Sequence, residues 1–313
     1  MSHIQFVNTE KSPLELDGWL QWNQEMWGLR PERVVYTPKG KDLPRLEGVL
    51  YLDRSGRVRM PPRNPYLPFR FITTDTVRTD RLYRQWLQVG GLLAEELAKR
   101  GTRGYISLPP GLMDGRPFQW LGMDVGVRYT FIVQFPFEER TPGASVRQKI
   151  RKAKRAGYYV ERSCDWKAIV HCLDETGAAK GFTHRTDINS LEKCQQLLGD
   201  DSFRGYVGYN DKHQVISGGL RLHMLDATAI DWSQGTLRDE LNSGINQLLY
   251  WEVLRDLAKA GAKAFDYTGA NIPPVAAAKA AWGIPLVPYL TVRTPGLRNL
   301  ALEVGIKLLK RKR

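Results

Sequence analysis

LAKAGAKAFDYT, residues 257–268, is the stretch that decides the fold, because an earlier stretch closely resembles it. The earlier stretch is LAKRGTRGYISL, residues 97–108, which lies at a constant offset of 160 residues. In both, Leu-Ala-Lys is followed by a glycine, Gly101 or Gly261. A glycine at this place is typical of a helix that ends in the left-handed conformation, and the residues after it predict a strand. This helix ending is common, so the glycine alone does not exclude a chance match.

The agreement continues past the glycine through aromatic positions, and this makes chance the weaker explanation. Tyr105 aligns with Phe265, and Tyr129 aligns with Tyr289 at the same offset. A tryptophan follows the strand in each half, at positions that differ by two residues from the offset. Each half therefore ends with a helix, a glycine, a strand, a short helix and a last strand. A repeat of this length indicates a duplicated domain rather than a solenoid.

The boundary between the two copies is predicted near residues 137–143. Pro136, Pro142 and Gly143 interrupt the pattern there. The sequence thus predicts an N-terminal domain at residues 1–140, a C-terminal domain at residues 141–296, and a tail at residues 297–313.

The second half predicts an α/β fold, a mixed sheet with helices packed on it. The predicted order is α-β-α-α-β-β-β-α-β-α-β. It is based on apolar spacing in the helices, on short β-branched or aromatic strands, and on glycine and proline breaks. The predicted strands lie at residues 158–163, 203–209, 214–225, 227–233, 264–268 and 285–292, and the long helix at residues 239–260.

The net charge of +13 comes from two stretches of the 313-residue chain. Residues 140–162 hold eight basic residues and one acidic residue, and residues 293–313 hold seven and one. The remaining charges cancel. Such basic stretches attract nucleic acid, phosphate-bearing substrates or an anionic membrane surface. The alternative is two solvated helix faces.

Several classes of protein are excluded or disfavoured by the sequence. There is no apolar run of the length that a transmembrane helix requires, and the first residues predict no signal peptide. The three cysteines (Cys164, Cys172, Cys194) fit neither a disulfide framework nor a zinc site, so we expect a cytoplasmic protein. The five histidines show no metal-ligand spacing, and no Walker loop or dinucleotide fingerprint occurs.

Three stretches of the second half resemble the Fem-type (FemAB-like) branch of the GNAT acyltransferases, which is built from two GNAT-like domains. RQKIRKAKRAGYYVE (147–161) is similar to the opening of the family's second domain. QVISGGLRLHMLDATAIDWSQGT (214–236) resembles its paired strands. LLYWEVLRDLAKAGAKAFDYTGANIPPVAAAKAAWGIPLVPY (248–289) resembles its closing signature, although Ala278 stands where the family usually has Phe.

The resemblance implies tandem GNAT-like domains and an enzyme that transfers an aminoacyl group from a charged tRNA to an amine. The acceptor would be a cell-envelope precursor, as in peptidoglycan and cell-wall biogenesis, or a related peptide or amino sugar. Acyl-CoA is the alternative donor, but Gly235 and Gly244 are too far apart for the usual phosphate-binding turn. A third hypothesis is a non-catalytic protein that binds nucleic acid or a membrane surface. No bound cofactor is expected.

Two residues are predicted to be catalytic. The resemblance implies that Lys279, among small apolar neighbours, contacts the donor or stabilises the transition state; the alternative is a surface lysine. Asp231, at the end of an otherwise apolar strand, would orient the amine or accept its proton beside Trp232. Asp266 and Tyr267 are expected at the substrate as well, with Asp266 bonded to the loop backbone. For each carboxylate the alternative is a turn or cap residue.

The basic helix supplies the remaining candidates. It is predicted at residues 146–157, where Val146, Ile150 and Ala153 have helical spacing. Arg147, Arg151, Lys152 and Arg155 could hold phosphate oxygens of tRNA or of another phosphate-bearing substrate. For any one of them, a solvated position is the alternative.

The tail, GLRNLALEVGIKLLKRKR (296–313), has an apolar helical face and ends in four basic residues. Either it docks on the protein as a last helix, or it lies on an anionic membrane near a lipid-linked substrate. The second interpretation predicts a peripheral position at the inner face of the membrane.

Overall fold

A computed structural model describes residues 10–296, with the exception of Phe182 and Arg185. In chain order the elements are α1 (Asp17–Trp27), β1 (Arg30–Tyr36), β2 (Arg45–Leu52), β3 (Phe69–Ile72), α2 (Thr79–Arg100), β4 (Ile106–Ser107), α3 (Arg116–Trp120), β5 (Asp124–Gln134), α4 (Ala144–Arg155), β6 (Tyr159–Arg162), α5 (Trp166–Lys180), α6 (Ile188–Ser202), β7 (Phe203–Tyr209), β8 (Val215–Leu222), β9 (Thr228–Thr236), α7 (Ile245–Lys259), β10 (Ala264–Asp266), α8 (Pro273–Ala280) and β11 (Leu286–Arg293). The helix predicted at residues 297–313 lies outside the described residues.

The chain forms two compact units whose division differs from the predicted one. The described part of the first unit comprises residues 28–128 and 288–296, and the second unit comprises residues 10–27 and 129–287. The boundary predicted at residue 140 does not coincide with this division. Residues of β5 and of β11 fall in both units. A strand joins a unit through its hydrogen bonds, and these do not follow the order of residues in the chain.

The first unit carries the antiparallel sheet β1-β2-β3 and the helices α2 and α3. Its β4 pairs antiparallel with the last residues of β11. Helix α2 ends at Gly101, whose φ of 72° allows the turn into the following strand.

The second unit contains the mixed sheet, in the order β5-β10-β9-β8-β7-β6. Strand β10 pairs parallel with β9, and the other neighbours pair antiparallel. Glycines allow the backbone of α5 to approach one face closely: a Cβ at Gly235 would lie 2.2 Å from the carbonyl oxygen of Cys172. On the opposite face, Ile245 of α7 packs against Gly208, and α4 packs on α7. This confirms the predicted α/β fold with a mixed sheet.

The register of the strands repeats between the halves. Asp266 of β10 is paired with Ile132 of β5, and Ile106 of β4 is paired with Val292 of β11. Ile106 precedes Asp266 by 160 residues, and Val292 follows Ile132 by the same number. The short strand of each half thus pairs, in the same register, with the last strand of the other half. The duplication inferred from residues 97–108 and 257–268 therefore extends to the hydrogen-bond register.

One predicted helix begins later than expected. The sequence places its start near Asp239, but only a 3-10 turn, Arg238–Glu240, forms there, and α7 starts at Ile245. Gly244 separates them in the left-handed conformation, with a φ of 95°. A Cβ on Gly244 would lie 2.3 Å from the carbonyl oxygen of Lys149, so the close approach of α4 also requires a glycine.

Candidate functional site

The centre of the candidate site is Asp231, which lies in the middle of β9 rather than at a strand end as predicted. Its carboxylate is buried and forms an ion pair of 2.9 Å with Arg221. The hydroxyl of Tyr250 donates to the other carboxylate oxygen at 2.7 Å. One carboxylate oxygen is thus in the ion pair and the other in a hydrogen bond, and the two contacts fix the position of the Asp231 side chain.

Arg221 belongs to the candidate site and was not predicted from the sequence. It lies in β8 opposite Asp231, and its side chain is fully buried. Its guanidinium donates to the carbonyl oxygens of Leu220 and Ser233 at 2.8 and 2.9 Å, and its centre lies 5.3 Å from the Tyr250 ring. Hydrogen bonds, the ion pair and the aromatic face together compensate the burial of this charge. The signal in the sequence was a lone arginine in a strand that is otherwise apolar or small.

Lys279 of α8 binds the loop that follows β10. Its ammonium donates to three consecutive carbonyl oxygens, those of Tyr267, Thr268 (2.6 Å) and Gly269 (3.1 Å). Burial lowers the pKa of Lys279, and the negative charges of Asp231 and Asp266 oppose this shift. Lys279 is thus a partly buried cation with a defined set of acceptors, not a freely solvated surface lysine.

Asp266 organises the same loop from the other side. Its carboxylate accepts from the hydroxyl of Thr130 at 2.5 Å and from the backbone N–H of Thr268 at 2.8 Å. The second bond is the predicted contact with the loop backbone. The hydroxyl of Thr268 donates to the carbonyl oxygen of Asp231 at 2.6 Å. These bonds hold Thr268 at a φ of 43°, which is rare for a β-branched residue.

The two aromatic candidates have different positions. Tyr267 is completely buried, with its ring 5.0 Å from that of Tyr250, and its hydroxyl has no partner in the described part of the chain. Burial raises its pKa well above the ordinary value. Trp232 lies among the aromatic rings of Trp19 and Trp22, both at 5.3 Å. The structure thus places Tyr267 in the Asp231 network and Trp232 in a separate tryptophan cluster.

The predicted phosphate ligands lie on α4. Val146, Ile150 and Ala153 are buried, as the sequence predicted, and the basic residues occupy the remaining surface. Arg147 donates to the carbonyl oxygens of Arg140 and Pro142, and Lys152 donates to that of Asn242 at 2.9 Å. Arg151 and Arg155 are exposed and have no acidic partner within the described residues. Two of the four candidates therefore hold backbone, and two are available to solvent.

The described residues hold no cluster of His, Cys, Asp or Glu that could bind a metal ion. Within the same residues, no helix has the length and apolar character needed to cross a membrane.

Comparison with solved structures identifies the fold. A crystal structure of FemX covers 96% of this chain and 95% of its own, with a TM-score of 0.64 and 15% sequence identity. The chain has the FemX fold. No family model and no curated protein sequence matches it. The predicted resemblance to Fem-type, GNAT-fold proteins is therefore confirmed at the level of structure.

Two further solved structures share the FemX fold with this chain at lower similarity. The C-terminal domain of a putative lysylphosphatidylglycerol synthetase from Agrobacterium fabrum has a TM-score of 0.53 and 13% identity, with 87% of each chain covered. L-PGS from Bacillus licheniformis has a TM-score of 0.53 and 12% identity, with 95% of this chain and 97% of that chain covered. The likeness therefore extends over both units of the chain.

Proposed function

We propose that this protein is an aminoacyl or acyl transferase that forms an amide on an acceptor amine, with aminoacyl-tRNA as donor. The observation that carries the proposal is the FemX fold over 96% of the chain. The similarity to a putative lysylphosphatidylglycerol synthetase, whose name indicates attachment of lysine to a lipid, supports aminoacyl transfer as the general class of reaction. In line with the Fem-type resemblance of the sequence, the proposed acceptor is an amine of a cell-envelope precursor, such as a peptidoglycan peptide, or of a related peptide or amino sugar.

The packing roles of two glycines support aminoacyl-tRNA rather than acyl-CoA as the proposed donor. Gly235 is required where α5 approaches β9, and Gly244 is required where α4 approaches α7. Each has a packing role that accounts for its presence without a phosphate-binding turn. In contrast, Arg151 and Arg155 are exposed and unpaired on α4, in a position to contact the phosphates of an RNA.

The proposed chemistry uses the Asp231 network. The amine attacks the ester carbonyl, a C–N bond forms, and the carbonyl oxygen becomes negative. The C–O ester bond then breaks, and the leaving ribose oxygen takes up the proton that the amine loses. Lys279 supplies positive charge beside the loop at residues 267–269, and Asp231, fixed by Arg221 and Tyr250, orients the amine by its negative charge.

The remaining candidates have supporting roles in this proposal. Asp266 maintains the loop, and Tyr267 maintains the contact with the Tyr250 ring beside Asp231. Trp232 supports β9 from the tryptophan cluster. Arg147 and Lys152 fix the two ends of α4 through backbone carbonyls, while Arg151 and Arg155 meet the donor. The reaction would take place in the cytoplasm, with peripheral contact at the membrane where the acceptor is lipid-linked.

The decisive experiment is a transfer assay with the purified full chain. tRNA charged with radiolabelled amino acids is incubated with candidate acceptors that carry a free amine, and a parallel series uses labelled acetyl-CoA. We expect label to move from tRNA to the acceptor, and we expect ribonuclease to abolish the transfer. Transfer from acetyl-CoA alone would favour a CoA-dependent N-acyltransferase. Salt-sensitive RNA binding without turnover from either donor would favour a non-catalytic binding protein.

A further inference from the structure

The backbone donors in the loop after β10 differ in whether they have an acceptor. The N–H of Tyr267 donates to the carbonyl oxygen of Phe131 at 2.9 Å, and that of Ala270 donates to Tyr129 at 2.8 Å. The N–H of Thr268 is bound by the Asp266 carboxylate. The N–H of Gly269, in contrast, donates to no acceptor within the described residues. Gly269 is half-buried, and a Cβ placed on it would have no atom within 4 Å, so space is open beside it.

The direction of this donor is set by Lys279. The ammonium draws the carbonyl oxygens of residues 267–269 towards itself. In a trans peptide the N–H points opposite to the C=O. The N–H of Gly269 belongs to the peptide whose carbonyl oxygen, on Thr268, binds Lys279, so it points away from the ammonium. The hydrogen bond on one side of this peptide also polarises the N–H on the other.

The loop conformation needs this support. Thr268 and Gly269 have φ values of 43° and 74°, both in the left-handed region. A non-glycine residue stays in that region only when its surroundings determine it strongly. The side chain of Thr268, its N–H and its C=O are bound by Asp231, Asp266 and Lys279 respectively. Three separate bonds thus hold one residue in a costly conformation, and the result is an outward N–H on the next residue.

We infer that the backbone N–H of Gly269 binds the carbonyl oxygen of the donor as it becomes negative, and that Lys279 is a positioning residue for this N–H. The inference rests on the proposed transferase function and specifies its oxyanion donor. During the reaction the oxygen gains charge as the C–N bond forms and loses it as the C–O bond breaks, so the N–H binds most strongly between the two steps. No proton moves to or from Gly269.

The first test replaces Gly269 with glycolic acid, so that an ester oxygen takes the place of the N–H without adding a side chain. We expect kcat for transfer from charged tRNA to fall roughly 10²–10³-fold, with KM little changed. The matched control is the same replacement at Gly40, which also has a positive φ and no neighbour within 4 Å of a Cβ. The control should retain wild-type kcat. An unchanged kcat in the Gly269 ester would overturn the inference.

The second test separates positioning from direct contact. Lys279→Ala is followed by hydrogen exchange at Thr268 and Ala270, with and without methylammonium. We expect faster exchange in the variant, and we expect methylammonium to restore both protection and kcat in proportion to its protonated form. Restored kcat that follows the neutral amine, or lost kcat with unchanged exchange, would overturn the positioning role. If Lys279→Ala does not fold, the Gly269 ester still decides the inference.

The wild-type assay distinguishes a failure of the proposed function from a failure of the inference about Gly269. If the wild-type chain transfers no aminoacyl group, the proposed function fails and the inference fails with it. If the wild type transfers and the Gly269 ester is fully active, only the inference fails.

Discussion

Arg221 and Asp231 are two buried charges, each of which compensates the other. Removing one partner leaves the other charge buried without its counter-ion, which is more costly than removing both. We expect Arg221→Met and Asp231→Asn each to lower the free energy of unfolding by about 3–5 kcal/mol. The double variant should lose clearly less than the sum of the two. Urea unfolding of the four proteins measures this, and additive losses would show that the ion pair is not the cause.

The three cysteines differ in exposure, and this predicts their reactivity. Cys172 and Cys194 are buried; burial raises the pKa of Cys172 to about 12 and that of Cys194 well above its ordinary value. Cys164 is exposed, although partial burial and Asp200 raise its pKa as well. We expect one thiol of the native protein to react with a disulfide reagent, faster as the pH rises through its raised pKa. Three thiols should react in urea.

At the residue scale, the sequence was informative where a contact is local. The bond between Asp266 and the N–H of Thr268 spans two residues and could be predicted from the strand end and the turn after it. The ion pair could not be predicted, because it depends on the register of β8 against β9. The position of Trp232 away from the Asp231 network was not predicted either. Neighbours on a strand point to opposite faces, so the residue beside Asp231 joins a different cluster.

At the scale of elements, α4 is the first helix to test for RNA binding. We expect Arg151→Glu with Arg155→Glu to weaken tRNA binding and to reduce its dependence on salt concentration, because fewer counterions are released. Filter binding at several salt concentrations measures both. Lys99→Glu with Arg84→Glu is a matched control on α2, with the same change in net charge and both residues exposed. Equal losses in the two variants would show that only net charge matters.

Glycines in β9 and α2 predict opposite effects of the same substitution. Gly235→Ala places a Cβ 2.2 Å from the backbone of α5, so the helix must move. We expect a loss of about 1–3 kcal/mol in the free energy of unfolding. Gly91→Ala lies within α2, where a Cβ has no neighbour within 4 Å, and we expect a gain of about 0.5–1 kcal/mol. Thermal unfolding of both variants checks the signs. A loss at Gly91 would contradict the open position.

Element type in the second half could be predicted because the periodicities there are strong. The predicted strand at residues 203–209 coincides with β7, and the basic helix with α4 to within two residues at each end. The late start of α7 could not be predicted in the same way. A glycine in a helical pattern is usually tolerated, and only the approach of Lys149 shows that Gly244 interrupts this one.

At the scale of the whole molecule, the sequence revealed the repeat but not the division into compact units. Similar residues at a constant offset reveal a duplication directly. The pairing of strands cannot be inferred from similar residues in this way, because the hydrogen bonds of β5 and β11 are formed by backbone groups that do not depend on the side chain. Residues 132–134 of β5 pair in the second unit and residues 291–292 of β11 pair in the first, although the proline-rich break lies elsewhere.

This division predicts how fragments of the chain fold. A fragment of residues 141–296, cut at the break in the sequence pattern, lacks the β5 strand that pairs with β10 and the α1 tryptophans that pack on Trp232. We expect it to unfold without cooperativity and to lack near-UV circular dichroism, because an unpaired strand edge and an open core are both exposed. Residues 10–27 joined by a long Gly/Ser linker to residues 129–287 restore both contacts and should unfold cooperatively. Cooperative unfolding of residues 141–296 alone would show that β5 and α1 are dispensable for the second unit.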